Sequence, residues 1–347
     1  MLSLVTRLLA PKGPVTAHIN ARPVAVAPKE TLLQAALREG IAFPHSCRVG
    51  GCATCKCRLV SGKVRELTQS GYILSDEELD QGYILACQAV PQTDVRIEVD
   101  LSALPARRQI GGRIVGQERL THDIVQLRVQ LDEALAYKAG QFADLTLDSL
   151  PGVARSYSFA TPVQPDAQVS FFVRKVPGGR FSTLVVDHDL SGQRLTVHGP
   201  GGDFWLRPAD APLVLVAGGS GLAPMLAMLA DARAQGVARP VTLLFGARLQ
   251  ADLYGMAAIE AFARSWPAPF RFVPVLSAET PGSTWLGARG LVTDFLPDTV
   301  LPGAHAYLCG PPPMVDTARA ALLRQNVADA DIHADRFTTL YDRPQAA

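Results

Sequence analysis

Hydrophobic positions change their period along the chain, and the changes divide it into three stretches. In the first, VTAHI and PVAVA flank Asn20-Ala21-Arg22. Alternation interrupted by turn residues predicts a β-hairpin. Residues 30–39 (ETLLQAALRE) then place Leu32, Leu33, Ala36 and Leu37 at helical spacing, with Gly40 as the stop. A Gly- and Cys-rich loop covers residues 43–57, and Ser75-Asp76-Glu77-Glu78 has the form of a helix capping box. Residues 95–99 (VRIEV) alternate again as a strand. Short strands, one helix and a long cysteine loop predict a small α+β domain over residues 1–102, with residues 1–13 as an extension.

Residues 103–108 are polar, contain a proline and have no period, which predicts a linker. From 109 to 208 the runs GGRIVGQERL, DIVQLRVQL, FADLTL, VSFFVRKV and RLTVHGP are of β type, punctuated by Gly and Pro. This is the pattern of an antiparallel barrel or sandwich. From 209 to 338 the style changes again. Residues 213–217 (LVLVA) are a continuous apolar run, as a buried parallel strand requires. A Gly-rich turn leads from them into a helix carrying Leu222, Met225, Leu226 and Leu229. Residues 241–245, 270–276 and 306–308 supply further strands, and their alternation with helices predicts a doubly wound α/β domain. Residues 339–347 read as a tail.

Composition narrows the class. With 48% hydrophobic and 19% charged residues the chain is not mainly disordered. A net charge of +1 lacks the basic surplus of a nucleic-acid protein. No apolar run approaches the roughly 18–20 residues of a membrane-spanning helix. The apolar opening, residues 1–10, holds Arg7 and no small-residue cleavage site. The expectation is a cytoplasmic protein with neither nucleic-acid nor membrane partners.

Five of the six cysteines lie between Cys47 and Cys87. In a reducing compartment such clustering indicates metal or redox chemistry. Cys47, Cys52 and Cys55 have the spacing C-x4-C-x2-C, with Cys87 further on, which is the spacing of plant-type two-iron two-sulfur clusters. One tight loop can wrap three thiolates while a distant strand brings the fourth. Gly50 and Gly51 let that loop fold back with its amides towards the sulfurs. A zinc knot is the alternative, but it usually takes two C-x2-C pairs and leaves this spacing unexplained. Cys57, two residues past a ligand, reads as a buried strand residue.

Two further groups of motifs suit dinucleotides. Arg155-Ser156-Tyr157-Ser158 offers a cation, a flat aromatic and hydroxyls, the set a flavin ring and its pyrophosphate need. Downstream, Gly179 and Ser182 of GGRFST open a predicted helix whose N-terminus suits phosphate. Each tetrapeptide is weak alone; the pair is specific. Gly218-Gly219-Ser220-Gly221-Leu222-Ala223-Pro224 follows a buried strand and starts a helix, the context in which backbone amides meet a pyrophosphate. It lacks the G-x-G-x-x-G form, and a tight structural turn would read the same. Cys309-Gly310-Pro311-Pro312-Pro313-Met314 again ends a strand, with a thiol on a rigid turn.

PHSCRVGGCATCKC and LACQ make residues 14–102 resemble a plant-type ferredoxin, a β-grasp fold, without the acidity of free-standing plant ferredoxins. RSYS, GGRFST, GGSGLAP and CGPPPM, in that order, resemble the ferredoxin–NADP reductase family over residues 109–338. Together they resemble the reductase components of aromatic-ring dioxygenase and monooxygenase systems, of the benzoate and carbazole dioxygenase type. The resemblance implies a ferredoxin domain, an antiparallel β-barrel for FAD and a doubly wound nicotinamide domain. It implies that Tyr157 stacks on the isoalloxazine, Arg155 meets the FAD pyrophosphate, Ser156 is among the cofactor-binding residues, and Ser158 lies near the ring's reactive edge. Ser182 and Thr183 would meet the FAD phosphates. Gly218, Gly219, Gly221 and Pro224 would form the nicotinamide turn, with Cys309, Gly310 and Pro311 along the hydride path. Phe337 would cover the other flavin face, a looser match because ten residues follow it.

The implied order of sites is NADH, FAD, cluster and then an oxygenase component, reached directly or through a separate ferredoxin. A nicotinamide gives two electrons at once, a cluster takes one, and a flavin converts between them. Alternative destinations are a deoxysugar dehydration system, or a redox sensor without a dedicated partner. After the strand at 241–245, Arg248 is followed by Asp252 with no lysine nearby, which predicts NADH over NADPH.

Overall fold

The computed structural model describes residues 14–41, 43–45, 50, 54–74, 76–101 and 107–338. Contacts divide the chain into two compact units, Met1–Ala106 and Arg107–Ala347.

The first unit builds β1 (Val15–Ile19), β2 (Arg22–Val26), α1 (Leu32–Arg38), β3 (Lys56–Ser61), β4 (Val64–Glu66), α2 (Asp76–Asp80), β5 (Tyr83–Leu85), β6 (Ala89–Pro91) and β7 (Val95–Glu98). The main sheet has the order β2-β1-β7-β3-β5, and β4 pairs with β6 in a separate ladder. The β1–β2 turn works because Asn20 takes a left-handed conformation, φ 53°. Thr31 starts α1 with a capping box to Gln34, a start signal that the apolar spacing did not register. Ile19, Leu32, Leu33, Phe43, Leu85 and Ile97 fill the core.

The second unit opens with β8 (Arg108–Arg119), β9 (Ile124–Leu131), β10 (Phe142–Leu147), β11 (Ala154–Ser158), β12 (Gln168–Arg174), α3 (Arg180–Asp187) and β13 (Arg194–Gly201). Its sheet runs β11-β10-β13-β8-β9-β12, and a bridge between Phe159 and Phe171 links its two ends into a barrel. Arg107 and Arg108, expected in the linker, belong to this unit. Arg108 begins β8, and the Arg107 guanidinium donates to Asp144 Oδ2 (2.7 Å) and the His198 carbonyl (2.8 Å).

The rest comprises β14 (Leu213–Gly218), α4 (Leu222–Ala234), β15 (Val241–Ala247), α5 (Met256–Ser265), β16 (Phe270–Leu276), β17 (Ala288–Arg289), β18 (His305–Gly310), α6 (Pro312–Arg324) and β19 (Ile332–Arg336). These strands form one parallel sheet, β17-β16-β15-β14-β18-β19. Every residue of β14 is buried, which is why its run is apolar without alternation. Apolar clusters cover both faces of the sheet. One of them also takes in Ile124, Phe172 and Phe204 of the barrel, so the two lobes share a seam of core. Among the described residues no helix is long and apolar enough to cross a membrane.

Candidate functional site

In the first unit the sheet register brings two distant cysteines together. Lys56 of β3 pairs with Leu85 of β5, so Cys55 and Cys87 lie side by side just beyond these strands. Both are buried, and the Cys87 amide donates to Cys55 Sγ at 3.5 Å. A sulfur that receives N–H bonds suits a ligand thiolate, whose negative charge those donors stabilise. Cys47 and Cys52 lie outside the described residues. Cys57 points into the core from β3 opposite Ile84, and burial pushes its thiol far above the ordinary range. It belongs to the packing.

In the barrel, β11 carries the RSYS run. Pairing with β10 sets Ser156 opposite Asp144 and Tyr157 opposite Ala143. Strand alternation puts Arg155 and Tyr157 on one face and Ser156 and Ser158 on the other. Tyr157 packs on Phe181 of α3, ring centres 5.5 Å apart, which joins the RSYS and GGRFST motifs into one corner. Ser156 Oγ donates to Asp144 Oδ1 at 2.6 Å, and through Asp144 it is connected to Arg107. Gly179 is the N-cap of α3; a Cβ there would lie 2.6 Å from Ser182 Oγ. The Ser182 hydroxyl accepts from the Val176 amide (3.0 Å) and contacts the Gly179 carbonyl (3.3 Å), so it shapes the loop before the helix. The Thr183 amide is in turn bonded to the Gly179 carbonyl.

The two glycine turns leave the parallel sheet at one edge, because Ala217 of β14 pairs with Cys309 of β18. They are packed too closely for side chains. A Cβ on Gly221 would stand 2.2 Å from the Cys309 carbonyl oxygen, and one on Gly218 would stand 2.6 Å from the Met314 sulfur and 3.1 Å from Pro311. Gly310 has φ +151° and lies against the Gly218 amide. Pro224, in the first turn of α4, is buried. Cys309 is fully buried, and burial together with the Asp335 charge raises its thiol pKa well above the usual value. A neutral thiol there shapes the cleft and is no thiolate nucleophile.

Several residues in this cleft escaped the sequence reading. Tyr254 donates its hydroxyl to the Gly219 carbonyl at 2.9 Å, fixing a residue with φ +55°. Burial keeps that phenol protonated and a donor. Arg174 of β12 brings its guanidinium within 3.2 Å of where a Gly219 Cβ would be. Asp123 orients it through an Nε–Oδ2 bond of 2.8 Å. Burial pushes the Asp123 carboxyl up, but Arg174 outweighs that and holds it below the ordinary range. A cation over a glycine turn suits a pyrophosphate. Asp335 of β19 lies 3.5 Å from Ser158 Oγ, and the Phe337 amide donates to the Gly310 carbonyl at 2.9 Å. The end of β19 and the residue after it are thus tied to β11 and to the CGPPPM turn respectively. No spacing rule would have found the Tyr254–Gly219 or Arg174–Asp123 pairs, whose members are distant in sequence.

The Asp252 carboxylate has close partners on both oxygens. Its Oδ2 accepts the Leu249 amide (3.0 Å) and its Oδ1 faces His122 Nδ1 at 3.2 Å. A second carboxylate reaches the same segment after β15: Glu279 Oε2 accepts the Gln250 amide at 2.7 Å.

Family models match three segments in turn: a 2Fe-2S iron-sulfur cluster binding domain over residues 17–92, an oxidoreductase FAD-binding domain over 112–205, and an oxidoreductase NAD-binding domain over 215–320. The xylene/toluene monooxygenase electron transfer component of Pseudomonas putida is 45% identical over 318 residues, 91% of this chain and 90% of that one. The chain belongs to this family of iron–sulfur flavoprotein reductases. The reductase component of phenol 2-monooxygenase from a Pseudomonas species is 35% identical over 94% of this chain and 95% of its own. The crystal structure of a cytochrome P450 reductase from Amycolatopsis superposes with a TM-score of 0.71 at 34% identity, covering 94% of this chain and 99% of that one. The reductase is therefore an oxidoreductase that uses a 2Fe-2S cluster, FAD and a nicotinamide dinucleotide.

Proposed function

We propose that the reductase takes its electrons from NADH and delivers them to the oxygenase component of an aromatic-hydrocarbon monooxygenase. The observation that carries this reading is the similarity, over nine-tenths of both chains, to an electron transfer component of xylene/toluene monooxygenase. When bound, FAD supplies the exchange between a two-electron hydride and the single electrons that a two-iron cluster carries.

The chain's own residues do the positioning. Gly218, Gly219 and Gly221 allow a dinucleotide backbone to approach the start of α4, with Arg174 supplying positive charge and Tyr254 holding the Gly219 peptide. Tyr157 and Phe181 wall the flavin corner, with Arg155 on the same face of β11 as Tyr157. Ser158 and Asp335 form a polar pair beside the two turns, and neither the buried Cys309 nor the half-buried Phe337 offers a nucleophile or general base. Cys47, Cys52, Cys55 and Cys87 hold the cluster.

The Glu279 carboxylate supports NADH over NADPH, since it repels a 2′-phosphate and accepts from a 2′-hydroxyl. Steady-state kinetics should show NADH favoured in kcat/KM. Glu279→Lys should shift the NADH/NADPH ratio towards NADPH by about tenfold or more, the equivalent of roughly 1.4 kcal/mol. Wild-type protein equally efficient with NADPH would refute the donor assignment. The acceptor assignment is tested by adding a purified aromatic oxygenase: NADH consumption should become dependent on the aromatic substrate, and consumption indifferent to oxygenase would refute it.

A further inference from the structure

Beside the cysteines lies a buried side chain that the electron path does not yet use. Gln88 follows Cys87 directly, is 6% exposed and carries an uncharged amide. Both its backbone groups are committed: its N–H donates to the Leu85 carbonyl and its C=O accepts from Leu67. Its side chain is committed as well. Thr68 Oγ1 donates to Gln88 Oε1 at 3.1 Å, and Gln88 Nε2 lies 3.5 Å from Cys87 Sγ. Thr68 is placed by the β4–β6 ladder, in which Glu66 pairs with Ala89. From the cysteine loop, Gly50 presses on the same pair. A Cβ on Gly50 would lie 2.9 Å from Gln88 Cγ and 3.1 Å from Thr68 Oγ1, and its φ of +80° excludes most side chains in any case.

The orientation of the amide follows from its neighbours. Turned over, it would aim its carbonyl oxygen at a ligand sulfur, which repels it. As placed, an N–H faces the sulfur and the oxygen receives the Thr68 hydroxyl.

We propose that the Gln88 amide, held by Thr68, donates a hydrogen bond to the Cys87 sulfur and raises the reduction potential of the cluster. The proposal rests on Cys87 as a ligand. Reduction adds negative charge to the iron–sulfur core and its thiolates, and a donor aimed at one of those sulfurs stabilises the reduced form more than the oxidised one. Gln88 thereby favours transfer of an electron from flavin to cluster. Thr68 is a positioning residue, acting only through Gln88.

The test is a spectroelectrochemical titration of the full-length holoprotein, following cluster and flavin separately. Gln88→Leu keeps the bulk and removes the donor. Its cluster potential should fall, with unchanged flavin potentials and a smaller fraction of cluster reduced by a fixed excess of NADH. Thr68→Val should shift the cluster in the same direction by less, and Thr68→Ser should restore the wild-type value. A Gln88→Leu protein with wild-type or higher cluster potential would overturn the proposal, even if its cluster content or melting temperature had dropped, because a packing role moves only the latter. If Gln88→Leu fails to load the cluster, Thr68→Val decides: a lowered potential supports the proposal and an unchanged one overturns it. Whether Cys87 is a ligand is read separately, from iron content after its own replacement.

Discussion

Cys87→Ser should yield a protein that keeps its flavin, loses the two-iron cluster, and passes no electrons from NADH to cytochrome c. Cys87 and Cys55 are adjacent and buried, and the Cys87 amide already points at the partner sulfur. A serine hydroxyl is a far weaker ligand for iron than a thiolate, so the fourth attachment is lost. The flavin and nicotinamide lobes belong to the other compact unit, so NADH oxidation with ferricyanide should continue at close to the wild-type rate. Cys57→Ala is the control. Its side chain is one of the packed core residues opposite Ile84, and removing one sulfur from a core costs about 1–2 kcal/mol. Stability should fall slightly while iron content and visible spectrum stay intact. Absorbance, iron content and the two acceptor assays measure all of this. Loss of the cluster in Cys57→Ala, or its retention in Cys87→Ser, would overturn the ligand assignment.

Gly221→Ala should cripple the nicotinamide step while leaving the flavin bound. The added methyl would stand 2.2 Å from the Cys309 carbonyl oxygen, a backbone atom of a buried strand that cannot swing aside. The GGSG turn must move away from the CGPPPM turn instead. Overpacking of this kind costs about 1–3 kcal/mol, which corresponds to roughly tenfold to hundredfold in NADH kcat/KM if the strain falls on the binding turn. The Tyr254–Gly219 bond would be disturbed with it. FAD content should not change, since the RSYS strand and α3 lie in the barrel. Gly236→Ala is the contrasting case: its φ of +72° strains any side chain, whereas Gly221 has φ −62°, yet nothing lies within 4 Å of the missing Gly236 Cβ. It should cost some stability and no nicotinamide selectivity. Equal kinetics for Gly221→Ala and wild type would show that the close packing of the two turns has no part in binding.

The sequence was most legible where one residue type has one physical use. Gly-rich and Pro-rich turns at strand ends, an apolar run with no alternation, and cysteines at a fixed spacing each leave few structural options. The same logic placed Cys57 in a strand facing inward. It failed where a residue's task depends on partners far along the chain. The Asp252 carboxylate meets the nearby Leu249 amide and also His122, from the barrel's β8–β9 turn, a contact its place in the sequence does not announce. Glu279 lies at the end of the neighbouring strand and reaches back, which no local pattern reveals. Arg174 looks like one more charged residue ending a β run, and only the fold lays it over Gly219. The linker boundary was two residues late because Arg107 and Arg108 are polar by composition. Asp144 and the edge of β8 hold them in the barrel.

The central claim is that electrons leave the flavin only through the cluster, and dividing the protein tests it most directly. Residues 103–347 retain Arg107 and the apolar seam between the flavin and nicotinamide lobes, so this piece should fold, bind FAD and reduce ferricyanide with NADH. It should not support turnover of a partner oxygenase, and residues 1–102 should not be reduced by NADH until the two pieces are mixed. The decisive number is the oxygenase turnover rate with residues 103–347 alone, relative to the full chain. The linear path predicts a rate indistinguishable from that without reductase; a rate equal to the full chain's would contradict it.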